Sequence, residues 1–99
     1  MLVKIHTSEG KMVVAICDKE LVGEKFEEAG KQLDLSTDFY NGEEMPIIEI
    51  EDLIRNANML NLVGEKSISF GIKEEIIEES NVIKIAGIPH AEVLIEDES

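Results

Sequence analysis

The sequence predicts an α+β fold, in which residues 1–99 form one small domain with an antiparallel hairpin at each end and two or three helices between them. Two β-prone runs flank a short turn near the N-terminus, and two more do so near the C-terminus. Apolar residues recur every three or four positions in the middle of the chain, which is typical of helices. With 99 residues, 43% of them apolar, the chain can bury one core without disulfides.

The N-terminal hairpin is predicted to turn at Ser-Glu-Gly-Lys. Its strands are residues 2–7 and 12–17. Loops of two or four residues give the same register, which pairs Thr7 with Met12 and Val3 with Ile16. One face of this ribbon is wholly apolar and is predicted to be core: Val3, Ile5, Met12, Val14 and Ile16. The other face is mixed and is predicted to be the Lys- and His-bearing side in water: Leu2, Lys4, His6, Val13, Ala15 and Cys17.

The region after this hairpin has weaker signals. Residues 18–31 are polar with scattered apolar residues and fit a short helix or an irregular arm equally well. A brief strand is predicted at residues 32–36, and a turn is predicted around Asn41-Gly42. The clearest helix follows Pro46, with apolar residues at helical spacing: Ile50, Leu53, Ile54, Ala57 and Leu60.

Residues 65–72 fit two secondary structures. The alternation of Ile68, Phe70 and Ile72 is compatible with a strand, whereas the i, i+4 spacing of Ile68 and Ile72 fits a helix, which we favour. In the preceding Asn61-Leu62-Val63-Gly64-Glu65, the asparagine is of a type that caps a helix and the glycine of a type that ends one.

The second hairpin is predicted to join residues 82–86 to residues 91–95. Its turn is Gly87-Ile88-Pro89-His90, with Pro89 at the second turn position and His90 at the third. On this interpretation His90 completes a turn on the surface. The acidic residues 96–99 are predicted to fray.

Charge divides the chain unevenly and bears on its partners. The net charge of −13 repels polyphosphates, which disfavours nucleic acid in general. Residues 1–33 carry five lysines against six acids, whereas residues 34–99 carry four basic residues against sixteen acids. The acidic two thirds suits a basic protein partner, and any RNA contact would use the first third.

Few residues suggest catalysis, a metal or a cofactor. Cys17 and His6 share a face of the predicted hairpin but lie four positions apart along it, roughly 13 Å, which is too far for a thiol–imidazole pair. We expect Cys17 to be a small buried residue. The cysteine and two histidines lack the spacing of a zinc site, and no phosphate- or dinucleotide-binding glycine pattern is present, so we expect no metal and no cofactor.

Cellular location and assembly are also predicted. No secretory signal pattern or membrane-spanning run is found in the sequence, which predicts a soluble, cytoplasmic protein. Unpaired edge strands in a small isoleucine-rich domain are compatible with a homodimer.

Four segments of the chain form a recognisable pattern: VKIHTSEGKMVVAICDKELVGEKF, DFYNGEE, NLVGEKSISFGI and NVIKIAGIPHAEVLI. This pattern resembles an archaeal family known as domain of unknown function 424. The resemblance covers nearly the whole chain and implies an archaeal cytoplasmic protein of uncharacterised function, whose genes lie near those of translation. It supplies no catalytic residues. The recurrent positions of the family fall on Asn61, Val63, Gly64, Glu65, Gly87, Pro89, His90 and Ala91.

Three functions are compatible with these observations. The first is a non-catalytic interaction module that binds a basic ribosomal or initiation protein. The second is an RNA-binding domain using six residues of the N-terminal third: Lys4, His6, Lys11, Lys19, Lys25 and Lys31. The third is a small enzyme with His90 as acid or base, assisted by Glu65 or Glu92. The candidate binding residues are Asn61, Gly64, Glu65, Gly87, Pro89, His90, Lys4 and His6.

Overall fold

The structure is a computed structural model that describes residues 1–95, so the predicted fraying of residues 96–99 lies outside the described residues. A six-stranded sheet has the order β5-β1-β2-β6-β8-β7, and a separate hairpin pairs β3 with β4. The strands are β1 Leu2–Ser8, β2 Lys11–Cys17, β3 Lys25–Glu28, β4 Lys31–Asp34, β5 Glu43–Glu44, β6 Met59–Val63, β7 Ile83–Ile85 and β8 Ile88–Leu94; the helices are α1 Ile47–Ile54 and α2 Glu65–Lys73. The predicted α+β class is confirmed.

The N-terminal hairpin has the predicted register. Thr7 pairs with Met12 and Val3 with Ile16, around a two-residue turn at Glu9 and Gly10. Of the predicted core face, the sheet buries Val3, Val14 and Ile16. Ile5 was also predicted to be core, but it is 45% exposed. It lies beyond the short edge strand β5, which pairs only with Leu2 and Val3.

The opposite face of this hairpin was predicted to face water, and this is wrong for Ala15, which is buried beside Cys17. A second layer covers them. Residues 18–31, expected to be a helix or an irregular arm, form a 3-10 turn at Lys19–Leu21 and then most of the β3–β4 hairpin. This layer builds a second small core from Cys17, Leu33, Leu35, Val63 and Ile85.

Helix α1 is shorter than the periodicity predicted. It begins directly after Pro46 and ends at Ile54, so Ala57 lies in a loop and Leu60 in β6. Asn58 explains the difference, because its backbone N–H donates to the Met12 carbonyl and its side-chain oxygen accepts from the Met12 N–H, both at 2.8 Å. The chain is therefore bonded to β2 before a further helical turn can form.

Strand β6 and helix α2 reverse the roles predicted for Asn61 and Gly64. Asn61 lies within β6, which pairs in parallel with β2, and caps no helix. Gly64 does not end a helix but is the residue from which α2 begins, with φ 105° and ψ 158°. The helix favoured for residues 65–72 is confirmed as α2. Its apolar residues Ile68 and Phe70 enter the main core beneath the sheet.

The C-terminal hairpin exists but turns earlier than predicted. Ala86 and Gly87 form its two-residue turn, both with positive φ, and this geometry matches the twist of the flanking strands. Pro89 and His90 therefore lie in β8 and not in the turn. Pro89 has no backbone N–H to donate. It is tolerated in β8 because β6 ends at Val63, so the hydrogen-bond ladder between β6 and β8 stops beside Pro89.

Candidate functional site

A buried carboxylate that the sequence analysis did not single out fixes the start of α2. Asp18 follows β2 directly and is 3% exposed. Its Oδ1 accepts hydrogen bonds from the Ser67 backbone N–H and the Ser67 hydroxyl, both at 2.8 Å, and its Oδ2 accepts one from the Lys66 N–H at 3.0 Å. Asp18 thus caps a helix that begins far along the chain, as a local cap residue would.

Gly64 is required by this arrangement. A Cβ at this position would overlap the Asp18 carboxyl, and the backbone conformation is one that residues with side chains rarely adopt. A strand–glycine–helix turn is a common place for a phosphate, because helix N–H groups point outward there. Here the Asp18 carboxylate accepts from those N–H groups, so Gly64 has a structural role, and its part in binding stays a prediction.

The segments around Gly64 and His90 adjoin, but they do not form one site. Val63 pairs with His90, and the Gly64 N–H donates to the Pro89 carbonyl at 2.8 Å. Pro89 and Glu65 line the same groove on the α2 side of the sheet. Successive residues of a strand point to opposite faces, so the His90 side chain lies on the other side from Glu65. Glu65 is therefore not placed to assist His90.

The face of the sheet that the β3–β4 layer covers is called the second face. His90 is half-buried on this face, where it pairs with Val63. Its Nε2 atom is buried and has no hydrogen-bond partner among residues 1–95. Burial lowers the pKa of His90, and the negative charge of Glu92, two residues along the same face, partly opposes that shift. Burial therefore favours the neutral form of the ring. It has the acid–base capacity for catalysis, but of the two partners predicted for it only Glu92 shares its face.

Three other candidate residues, Lys4, His6 and Asn61, lie on the same second face as His90. Lys4 and Asn61 are neighbours of the buried Ala15 in adjacent strands. The His6 ring stacks on Phe39, with ring centroids 4.3 Å apart, and its Nε2 lies 3.0 Å from the Phe39 carbonyl oxygen. These contacts tie residues 36–42 to the sheet, which gives His6 a structural role.

The lysines of the N-terminal third are partly engaged by acids of the same chain. The Lys19 ammonium lies 2.6 Å from Glu44, and the Lys25 ammonium lies 3.8 Å from Asp34. Lys11 and Lys31 are exposed at the starts of β2 and β4. The lysine contacts thus favour ion pairing within the chain, and RNA binding by this third stays a prediction that no contact supports.

An apolar concavity runs along α2. We call it the α1–α2 groove; it has a volume of about 620 Å³ and is lined by Met1, Met45, Pro46, Ile47, Glu65, Lys66, Ser69, Phe70 and Lys73. Ile47 is 53% exposed although it begins a helix that packs on the core. Two methionines line the groove, and methionine adapts to varied apolar partners. The groove is thus an accessible apolar surface with charged edges.

A second groove lies on the other side of α2. Its volume is about 580 Å³, and its walls include Glu65, Pro89 and Lys84. Two of the predicted binding residues, Glu65 and Pro89, therefore line a concavity together, although they are distant in the sequence. Gly87 lies outside both grooves, exposed in the β7–β8 turn.

The nucleophilic side chains Cys17 and Tyr40 lie in the second small core or against it. Burial, reinforced by Asp18, raises the pKa of the Cys17 thiol to about 12, so it stays protonated, and its predicted burial is confirmed. Burial likewise raises the pKa of Tyr40 to about 12. No group of three or more potential metal ligands is present among the described residues. No helix in the described range is long and apolar enough to span a membrane.

Comparisons with known proteins identify relatives but no activity. The model of a family described as "Protein of unknown function (DUF424)" matches residues 6–95. A solved structure, described as an uncharacterized conserved protein from Methanopyrus kandleri, superposes with a TM-score of 0.80 at 24% sequence identity, covering 99% of this chain and 95% of the other. This similarity shows that the two share a fold. A search of curated protein sequences found no match.

Proposed function

The chain belongs to the DUF424 family of proteins of unknown function, and we propose that it is a non-catalytic interaction module. In this proposal an apolar segment of a partner protein docks in the α1–α2 groove. The observation that carries the proposal is the groove itself, where Ile47 and two methionines offer apolar surface between two helices. Apolar grooves between helices are a recurrent mode of peptide recognition.

Charge selects the class of partner. Residues 43–54 contain five acids and no basic residue, and three apolar residues of this segment, Met45, Pro46 and Ile47, line the groove. Together with the net charge of −13, this segment attracts a basic protein and repels nucleic acid. We propose a basic ribosomal or initiation protein as partner, in the cytoplasm. The translation setting rests on the family resemblance alone.

The test uses two variants matched in chemistry and exposure. Ile47 is 53% exposed in the groove and Ile83 is 51% exposed in the edge strand β7. Tagged wild-type protein, Ile47→Gln and Ile83→Gln are used as baits in archaeal lysate at low salt, and captured proteins are identified by mass spectrometry. We expect ribosomal or initiation proteins with the wild type and Ile83→Gln, and at least fivefold less with Ile47→Gln.

Two results would overturn the proposal. One is recovery of no ribosomal or initiation component by the wild type at low salt. The other is equal recovery by the two isoleucine variants, which would mean that the groove is not the contact. Binding that falls steeply between low and high salt would support the basic partner, because screening weakens attraction between opposite charges.

A further inference from the structure

The two edges of the six-stranded sheet are protected to different extents. At one edge, β7 has only three residues, and the Glu28 carboxylate accepts a hydrogen bond from the Ala86 N–H at its end. At the other edge, β5 pairs only with Leu2 and Val3 of β1. Among residues 1–95, no strand lies outside residues 5–8 of β1. Native sheets usually shorten or cover such an edge, so the outer edge of β1 is open to a further strand.

The open part of β1 presents unbonded backbone groups and an apolar side chain. Ser8 and Lys11 flank a two-residue turn, which makes them a hydrogen-bonded pair. Because bonding direction alternates along an antiparallel strand, Ile5 and Thr7 direct their N–H and C=O groups away from β2. No other backbone partner for these groups is found in the described part of the chain. Ile5 is also 45% exposed, although it shares a face with the main core.

The short strand β5 restricts how a second copy of this edge can pair with the first. Two identical antiparallel strands are related by a two-fold axis. Pairing Ile5 with Ile5 would also pair Val3 with Thr7, but Glu43 already occupies the outer side of Val3. Pairing Ile5 with Thr7 of the second copy avoids Val3 and places His6 opposite His6 at the axis. This register uses both outward-facing residues of each copy, whereas a shift in the other direction would bring Ile5 against the turn.

We infer that the outer edge of β1 pairs with the same edge of a second copy, joining two six-stranded sheets across a two-fold axis. Ile5 of each copy then lies beside Thr7 of the other on one face of the joined sheet. The paired residues Ile5, His6 and Thr7 do not line the α1–α2 groove, so the inference is independent of the proposed function. Pairing of so few residues buries less than about 1,200 Å², which is typical of a weak, reversible dimer.

Local charge favours this edge over the rest of the chain as a contact between identical copies. Residues 1–17 contain two lysines and one acid, within a chain whose net charge is −13. The remaining acids of the two copies still repel each other, and salt screens that repulsion. The dimer is therefore expected to become tighter as salt increases. A basic partner bound by charge attraction would show the opposite response.

Matched lysine substitutions at the two sheet edges test the contact. Ile5 in β1 is 45% exposed and Ile83 in β7 is 51% exposed, so Ile5→Lys and Ile83→Lys change the same residue type and the same charge. Sedimentation equilibrium measures dimerisation up to roughly 1 mM protein, where a weak dimer is detectable. We expect dimers of the wild type and Ile83→Lys, and at least tenfold weaker dimerisation of Ile5→Lys, because an edge lysine blocks strand addition.

A proline variant keeps the test independent of side-chain charge. Thr7→Pro removes an outward N–H, a change that an edge strand tolerates, and is expected to abolish the dimer while circular dichroism stays that of the wild type. A wild type that is monomeric at every concentration would refute the inference. Equal dimerisation of Ile5→Lys and Ile83→Lys, or a dimer that weakens as salt increases, would also refute it.

Amide hydrogen exchange determines which strand pairs and in which register. We expect the N–H groups of Ile5 and Thr7 to exchange at least fivefold more slowly at high than at low protein concentration. Lys84, which faces outward from β7 by the same alternation, is the control and is expected to exchange equally fast at both. Slower exchange at Lys84 instead would assign the contact to β7, and slower exchange at Thr7 alone would contradict the register.

Discussion

Single residues in this protein have roles that depend on positions far away in the chain. Asp18 accepts three hydrogen bonds at the start of α2, and Gly64 leaves the space that its carboxyl occupies. Sequence reasoning identified Gly64 but assigned it to the end of a helix. A cap residue is recognisable when it precedes its own helix, and Asp18 lies 49 residues before Ser67.

Gly64→Ala tests this account at the residue scale. We expect a loss of at least about 3 kcal/mol in the free energy of unfolding, because the new methyl overlaps a buried carboxyl in a conformation nearly restricted to glycine. Gly87→Ala is the control, since Gly87 also has positive φ but has no atom within 4 Å of a Cβ. It is expected to cost about 1–2 kcal/mol. Urea unfolding measures both, and equal losses would contradict a role for Asp18.

The local sequence around His90 predicts a structure that differs from the observed one. The Gly-Ile-Pro-His stretch suggests a turn because proline and glycine are turn residues. The turn actually uses Ala86 and Gly87, and the proline fits within β8 only because the neighbouring strand stops beside it. That condition is set by tertiary structure, so no reading of these four residues alone could have placed His90 on a sheet face.

At the scale of elements, segments with a strong local pattern were predicted and segments stabilised by packing were not. The register of β1 and β2 followed from the alternation of apolar residues around a short turn. Of the β3–β4 hairpin, only β4 was predicted, as the brief strand at residues 32–36. Its pairing with β3 was not predicted, since Phe26 and Leu33 are the apolar residues that link this polar hairpin to a core. The parallel pairing of β2 with β6 joins distant segments and leaves no local signal.

The two-residue turns offer a test at this scale. Ala86 has φ 52° at the first turn position, where asparagine is strongly preferred over alanine. We expect Ala86→Asn to raise the free energy of unfolding by about 0.5–1 kcal/mol, and Ala86→Val to lower it, because β-branched residues resist positive φ. Thermal and urea unfolding measure both effects. A stabilising valine would show that the turn adopts another geometry.

Over the whole molecule, the charge distribution along the chain was predictable and the proposed binding surface was not. The excess of acids after residue 33 is a property of the sequence, whereas the α1–α2 groove joins Met1, residues 45–47 and one side of α2. None of these segments resembles a binding motif by itself. The candidate residues chosen from sequence instead became separated onto the two faces of the sheet, with only Glu65 and Pro89 lining a groove together.

Self-repulsion among the acids predicts a response of the whole fold to salt. With a net charge of −13, raising NaCl from 20 to 300 mM is expected to stabilise the protein by about 1 kcal/mol, which corresponds to roughly 4–8 °C in Tm. Glu43→Gln with Glu49→Gln removes two acids from residues 43–54 and is expected to have a smaller response. A Tm that falls with salt would mean that ion pairs outweigh repulsion.

The link between Asp18 and Ser67 also bears on the order in which the chain folds. The first turn of α2 depends on a carboxylate 49 residues earlier, and β6, which precedes that helix, pairs with the similarly distant β2. Contacts of this kind close long loops and form slowly compared with hairpins. During synthesis on a ribosome, the β1–β2 hairpin emerges early and can form before its later partners. The first turn of α2 can form only after the later half of the chain has been synthesised and packs against Asp18.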